Sequence, residues 1–436
     1  MRAIFSACLL AATLAALPAQ TAAAEAPGDQ ATGLVFDSIY LQTSANFNLR
    51  DNGSLENPSN ALGIDTAEIV PDAVIAGRLY QVVFEVSCEN DYLALDKSDP
   101  IDANIDECYL ELPLGDRLSF FLGKHRVYWD STPFMRPLDF FDTDRVALDP
   151  EDKVAPDDGR LGIGVDYVAS AFEAALVFFD DRWASVDYYN LRGGMLSGLK
   201  LHFLFDPVSL NVAGNLDIAP DGSLSPAFGY TVSSTFGEGL QLYSSAVLRR
   251  GSLQVLSAAA LDAGPAFYPQ NPFGVWNEDS PSWYPEFTAG VQWTPNDANS
   301  LYLSYLYDGN KYDGAEWDRL NAAMAFHQGA EAVFYPAAIV DANQAWDGQI
   351  STELLVRRHH AEAHWDLKLG VFEPSLDCIL CLEDASGVSK LGLKIGMGDS
   401  VALTLGWFGF WGGSGTEFGD YPLRDFFETK LVYTIK

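Results

Sequence analysis

Beyond residue 24 the chain lacks any apolar run of the ~20 residues that a membrane-spanning helix requires. Before that point, an apolar run over residues 3–17 follows the basic Arg2, and a stretch of small residues ends at Ala24. This order is typical of a secretory signal peptide. The sequence therefore predicts a signal peptide over 1–24 and a mature chain over 25–436 that crosses a membrane as strands or not at all.

Basic residues are scarce. The 26 lysines and arginines stand against 60 acidic residues, which gives a formal net charge of −34. Binding to a phosphate backbone needs a basic surface, so a nucleic-acid partner is excluded. The same charge argues against docking on an anionic lipid surface. Acidity of this strength also occurs in salt-adapted soluble proteins, but here the acidic residues collect mainly between the strand candidates.

Cysteine is rare too, and only Cys88, Cys108, Cys378 and Cys381 follow the signal peptide. An even number in an oxidising compartment predicts two disulfides, which we assign as Cys88–Cys108 and Cys378–Cys381, both on the extracellular side. The Cys378-Ile-Leu-Cys381 spacing also occurs in redox and metal motifs, but no second pair of matched spacing accompanies it. We expect no metal and no cofactor.

What the chain does have is a repeated alternation of apolar and polar residues, in segments of about ten residues, the length of a tilted membrane strand. The clearest segments are 161–167, 199–205, 228–236, 240–248, 287–294, 363–371 and 390–397. They predict an all-β fold, a single transmembrane antiparallel β-barrel of about 18 strands with long extracellular loops. The alternative is about 16 strands, because the segment around Pro71 is a poor strand.

Short and long connections alternate between these segments. The predicted short turns are 113–116, 169–170, 206–207, 237–239, 295–299 and 398–400. The long connections are 130–159, 181–196, 251–284 and 309–348. Sorting by length is typical of barrels with short periplasmic turns and long extracellular loops, and it argues against a soluble β-sandwich.

One stretch resembles a hairpin of proteobacterial outer-membrane barrels related to alginate-export and porin proteins, including a related family of unknown function. In those proteins a Gly-Asp turn precedes a Gly-Arg-Gln element and a Trp-Gly pair. Here the corresponding residues are Gly115-Asp116, Gly123-Lys124-His125 and Trp129-Asp130, followed by Pro137-Leu138-Asp139. The stretch 305–317, with Tyr307-Asp308-Gly309 and Ala315-Glu316-Trp317, is similar to another part of that family. The resemblance implies the barrel fold and an outer-membrane location.

Three of the six histidines, His359, His360 and His364, cluster in the sequence. On a strand, His360 and His364 share a face, which is compatible with a metal ligand pair or a general base. No carboxylate or cysteine at ligand spacing joins them there, so we favour a periplasmic turn that holds His359 and His360 beside two arginines. No Gly-x-Ser-x-Gly motif is present, and we expect no enzyme activity.

Two loops have features of their own. Residues 309–348 contain one helix, with a capping box, a glycine stop and an apolar face formed by Asp313 with Glu316, Gly329, and Trp317, Leu320 and Met324. This helix packs on the rim or belongs to a loop that narrows the lumen. Residues 130–158 hold nine acidic residues: Asp130, Asp139, Asp142, Asp144, Asp149, Glu151, Asp152, Asp157 and Asp158. Such density fits a hard divalent cation or a solvated acidic rim.

Sorting each strand by face yields a mixed set of charges on the polar, inward side. The basic candidates for the pore lining are Arg160, Lys200, Arg249, Lys368, Lys390 and Lys394. The acidic candidates are Glu107, Glu111, Glu173, Asp166 and Asp366. This lining predicts a porin-like channel in the outer membrane of a Gram-negative bacterium, passing small or acidic solutes.

The alternatives are an export conduit for an acidic polysaccharide, a barrel enzyme, and a surface adhesion or assembly protein. The partners expected of such a barrel are outer-membrane lipid, lipopolysaccharide and the barrel assembly machinery. A homo-oligomer is left open.

Overall fold

The computed structural model describes fourteen stretches of the chain. They are residues 34–50, 67–79, 81–89, 102–133, 135–141, 159–180, 194–219, 222–251, 255–257, 274–276, 282–330, 355–398, 400–421 and 423–435. The predicted signal peptide over 1–24 lies outside them. Within the described stretches, no helix combines the length and the apolar character needed to cross a membrane.

Twenty strands and one helix form in these stretches. The strands are β1 (Leu34–Arg50), β2 (Ala67–Leu79), β3 (Val82–Glu89), β4 (Asp102–Leu114), β5 (Leu118–His125), β6 (Arg160–Val168), β7 (Phe172–Asp180), β8 (Met195–Phe205), β9 (Val208–Ile218), β10 (Leu224–Phe236), β11 (Leu240–Arg250), β12 (Val255–Ser257), β13 (Gly274–Trp276), β14 (Trp283–Asn296), β15 (Asn299–Asp308), β16 (His359–Leu367), β17 (Phe372–Cys381), β18 (Gly387–Gly396), β19 (Val401–Trp411) and β20 (Leu423–Ile435). The helix is α1 (Gly314–Ala330). β12 and β13 pair only with each other.

The other eighteen strands form one closed antiparallel barrel. Each pairs with its neighbours along the chain, β11 passes directly to β14, and β20 returns to pair with β1 from Ile39 opposite Ile435 to Arg50 opposite Leu423. Closure leaves the sheet without an unpaired edge, as a barrel in lipid requires. The prediction of 18 strands is confirmed, and the alternative of 16 is wrong.

The strand through Pro71 forms in spite of its proline. Pro71 lies opposite Thr43 of β1, whereas the ladder between β2 and β3 begins only at Asp72. The missing backbone N–H of proline therefore falls outside the β3 ladder, where it costs no hydrogen bond.

The alternation in the sequence separates an apolar outer surface from a polar inner one. On β18, Leu391 is exposed on the outside, while its neighbour Lys390 is buried on the inside. The same holds on β8, where Leu199 faces outward and Gly198 inward. An apolar outer surface with polar side chains inside is the arrangement of a membrane barrel.

The connections differ between the two ends of the barrel. At one end, here the short-turn end, all six predicted short turns are confirmed within two residues, with strands resuming at Leu118, Phe172, Val208, Leu240, Asn299 and Val401. The opposite end, here the long-loop end, carries the long connections, together with short ones after β9 and β17. Gly239 shows why one turn needs glycine: its φ is +90°, and a Cβ there would lie 1.9 Å from the Thr294 carbonyl oxygen.

Candidate functional site in the barrel interior

The predicted lining residues lie on the inner face, but most are engaged with other side chains. Glu107 pairs with His125 at 2.9 Å, and the Arg249 guanidinium pairs with Glu286 at 3.4 Å. Elsewhere Glu111 pairs with Arg78 at 3.6 Å, Arg160 donates to the Phe141 carbonyl at 2.7 Å, and Asp366 contacts His364. Asp166 and Lys200 occupy inward positions of β6 and β8. The interior wall therefore presents mixed charge.

The lysines that form a basic row in the sequence do not stand alone. Lys368 and Lys394 both lie beside Glu373, at 3.5 and 3.6 Å. Lys390 is buried, with its Nζ 5.1 Å from the centre of the Phe408 ring. The positive field of the row is thus reduced by Glu373 at the short-turn end.

A part of the connection after β5 folds into the barrel. We call residues 126–141 the inner segment. Its Trp129, Leu138 and Phe141 are buried in one cluster with inward-facing apolar residues of five strands, namely Phe121, Ala175, Val177, Phe179, Ala213, Ala227 and Val247. Gly198 of β8 makes room for it, since a Cβ there would lie 2.5 Å from both Trp129 and Phe141. Apolar side chains at these inward positions were the available sequence signal for this packing.

Asp130 anchors the inner segment to the wall. Its carboxylate accepts hydrogen bonds from the Thr231 hydroxyl of β10 at 3.1 Å and the Ser245 hydroxyl of β11 at 2.6 Å. It also accepts the backbone N–H of Leu138 at 2.9 Å. Two strands and both ends of the segment are therefore tied to one side chain.

Asp139 holds the segment together from within. It is fully buried and accepts the backbone N–H groups of Trp129 and Asp130, while Arg136 lies 3.6 Å away. Burial raises the pKa of the Asp139 carboxyl to about 6, and the neighbouring Asp130 charge adds to the effect of burial. Asp130 and Asp139 thus bind the fold of the segment. The rest of the predicted acidic cluster, from Asp142 to Asp158, lies outside the described residues.

The predicted histidine turn is wrong. β16 starts at His359 directly after the long connection from β15, so His359 and His360 lie at the long-loop end. His359 accepts or donates a hydrogen bond with Tyr305 at 2.7 Å, and His360 is buried against Glu417 at 2.7 Å. The error arose because strand direction depends on counting every turn, and the short stretch 368–371 is the true turn after β16.

Both predicted disulfides are wrong, because Cys108, Cys378 and Cys381 are free. Cys378 and Cys381 are three residues apart on β17, so one faces outward and the other inward. Cys108 lies opposite Phe84, whereas Cys88 lies opposite Ala103. Four residues of β3 separate the two levels by about 13 Å, well beyond the ~7 Å that a disulfide spans.

The helix in the 309–348 connection is confirmed by its cap. The Asp313 backbone N–H donates to the Glu316 carboxylate at 2.7 Å, and the Glu316 N–H donates to Asp313 at 2.8 Å. Buried Trp317 and Asn321 both donate to the Gly415 carbonyl oxygen, at 2.8 and 2.9 Å. α1 therefore packs on the connection between β19 and β20. The Met324 side chain lies outside the described residues.

No protein-family model matches the chain, and no curated protein matches it. Solved structures with a similar fold include Acinetobacter baumannii OccAB1, with a TM-score of 0.55 and 10% identity over 94% of this chain and 99% of that one. Pseudomonas aeruginosa OccK8 (OprE) matches with a TM-score of 0.51 and 10% identity over 91% of this chain and 97% of the other. The chain thus has the fold of these 18-stranded outer-membrane barrels.

Proposed function

We propose that the protein is a porin-like channel of the outer membrane that passes small solutes. The observation that carries this proposal is the closed barrel of 18 strands with an apolar outer face and a charged inner face. Barrels of 16–18 strands are wide enough to leave an aqueous channel between their inner side chains. A barrel of this kind provides a path for polar solutes.

The inner segment gives this channel its narrow part. It packs against the wall from β5 to β11 and leaves the remaining lumen to be lined by the other strands. Strands β1 and β20 lie half-way round the ring from β10, and their inward Gln42, Ser44 and Lys430 are polar. A solute would then pass between the inner segment and a polar wall.

Selectivity follows from charges near the path, because charge at a distance is screened within about 8–10 Å at physiological salt. The exposed Lys368 and half-exposed Lys394 flank one carboxylate, Glu373. Two cations against one anion give this patch a small positive excess. We propose that it guides an acidic solute at the short-turn end, while the acidic loops concentrate cations weakly at the other.

Single-channel recording in planar bilayers tests the proposal. Purified protein that shifts on a gel when heated, as a folded barrel does, should produce stable conductance steps. The same folded protein without any steps would exclude a channel and leave the adhesion or assembly alternative. An Asp297→Asn variant, altered only in an exposed turn between β14 and β15, should retain the wild-type conductance.

A further inference from the structure

Three side chains with metal-binding atoms meet at the long-loop end. His360 comes from β16, Cys381 ends β17, and Glu417 lies in the connection between β19 and β20. All three are buried, and one ligand atom of each lies within 4.8 Å of the others. The sequence showed only His360 with His364, since the two other residues come from separate parts of the chain.

The surroundings of the Cys381 sulfur favour a thiolate. The backbone N–H groups of Glu383 and Asp384 form hydrogen bonds to Sγ. Hydrogen bonds donated to the charged form stabilise it. The same thiol also contacts two carboxylates, those of Glu417 and Asp384. A single S–H proton serves one of these acceptors, whereas a bound cation interacts favourably with the sulfur and both carboxylates.

Each ligand is held in place by its own supports. The backbone N–H groups of Val356 and Arg357 donate to Glu417 Oε1, which leaves Oε2 turned to His360. The turn after Cys381 is shaped by Asp384, which accepts the backbone N–H of Ser386 at 2.9 Å. Supports of this kind orient metal ligands before the ion binds.

We propose that His360, Cys381 and Glu417 form a binding site for Zn²⁺. Imidazole nitrogen, thiolate sulfur and carboxylate oxygen are the donors that Zn²⁺ takes in proteins, whereas Ca²⁺ and Mg²⁺ take oxygen ligands. One thiolate and one carboxylate also balance the two charges of the ion. A set of three protein ligands leaves the fourth tetrahedral position for water.

Only a small opening is needed to admit the ion. His360 Nε2 and Glu417 Oε2 are 2.7 Å apart. With metal–ligand bonds of about 2.0 Å, two tetrahedral ligands stand roughly 3.3 Å apart. Glu417 is on a loop, so its carboxylate can move by this amount more readily than a strand residue.

The bound ion would join three elements at the mouth of the barrel. Glu417 belongs to the connection on which α1 packs through Gly415, and His360 and Cys381 belong to neighbouring strands. The site therefore acts as a fastener of the α1 layer. This inference depends on the barrel alone and stands apart from the proposed channel function.

Cobalt substitution tests the site, because Co²⁺ takes zinc positions and absorbs visibly. Folded protein, reduced and freed of metal, is titrated with Co²⁺ and then with Zn²⁺. We expect one equivalent of Co²⁺ to produce a thiolate-to-cobalt charge-transfer band in the near ultraviolet, and Zn²⁺ to abolish it. A wild-type protein without this band would overturn the proposal, whatever the variants do.

Matched variants assign the ligands. Cys381→Ser should remove the charge-transfer band, and His360→Gln should weaken Co²⁺ binding by more than about tenfold. Cys378→Ser is the control, since Cys378 lies on the same strand but faces outward. The gel shift on heating checks that each variant is folded. A band that persists in Cys381→Ser, or that is lost in Cys378→Ser, would contradict this assignment.

Discussion

The Asp130 carboxylate in the inner segment accepts a hydrogen bond at 2.6 Å from the Ser245 hydroxyl, 115 residues further along the chain on β11. The Thr231 hydroxyl of β10 donates to the same carboxylate and also to Ser245 at 3.0 Å. This buried network attaches a loop to the inner wall of the barrel. Its integrity decides how much of the lumen the loop occupies.

Asp130→Ala should release the inner segment and enlarge the channel. Hydrogen bonds to a charged group contribute about 1.5–3 kcal/mol each, so the loss of several loosens the segment. We expect a higher single-channel conductance with more frequent fluctuations. The double variant Thr231→Val/Ser245→Ala should act in the same direction. An unchanged conductance in both would show that the segment does not set the channel width.

Asp139 predicts a pH dependence of stability. Its pKa is about 6 in the folded protein, above the ordinary value of 3.8, so the folded state binds more protons between these values. Stability contributed by this group is therefore fully present below about pH 4 and is lost as the pH rises through 6.

The measurement compares the unfolding temperature of wild type and Asp139→Asn from pH 4 to 7. The wild type should lose stability relative to the variant as pH rises, because asparagine does not titrate. Asp116→Asn, in an exposed turn, should run parallel to wild type. If wild type and Asp139→Asn gave parallel curves, Asp139 would not titrate in this range.

Gly198 predicts how closely the inner segment packs. A Cβ at Gly198 would lie 2.5 Å from Trp129 and Phe141, so Gly198→Ala should cost about 1–3 kcal/mol through overpacking. At Gly214 the nearest atom to a Cβ is 3.6 Å away, and Gly214→Ala should be tolerated. Denaturant unfolding of both variants in detergent measures the difference. Equal stability would indicate a loosely packed segment.

The lysines near Glu373 predict the direction of ion selectivity. Replacing Lys368, Lys390 and Lys394 by Gln should raise the preference for cations, as read from reversal potentials across a salt gradient. Glu373→Gln should shift the reversal potential the opposite way, since it leaves Lys368 and Lys394 without their carboxylate partner.

The loop aspartates supply the comparison for this prediction. Replacing Asp142, Asp144 and Asp149 by Asn should lower cation preference by less than the lysine changes raise it. A larger effect of the loop variants would show that the acidic mouth sets selectivity instead of the lumen.

Local features of the fold could be predicted because they depend on neighbouring residues only. Alternation of side chains along a strand has a period of two whatever the strand pairs with. Tight turns announce themselves through glycine, proline and asparagine, as at Gly237–Gly239. The cap of α1 depends on Asp313 and Glu316 alone. These signals were sufficient for the strand number and for the inward positions of the charged residues.

Faces and ends required the complete strand count. The two cysteines of β17 look like a motif when spacing alone is considered, yet an odd separation on a strand puts them on opposite faces. His359 and His360 were placed at the wrong end because the true turn after β16, with Gly370 at φ +66°, was missed. One turn misjudged reverses the direction of a strand, and with it the end of the barrel at which each residue lies.

The sequence by itself determined that this chain alternates, turns and closes as a barrel, since each of these properties is repeated locally along it. Only the tertiary structure decided what fills the interior. The inner segment reaches strands more than 100 residues away, and His360 meets Glu417 across 57 residues. Contacts at such separations arise when the barrel closes and its loops pack against the inner wall. No local pattern specifies them, because the residues involved share no element until the chain has folded.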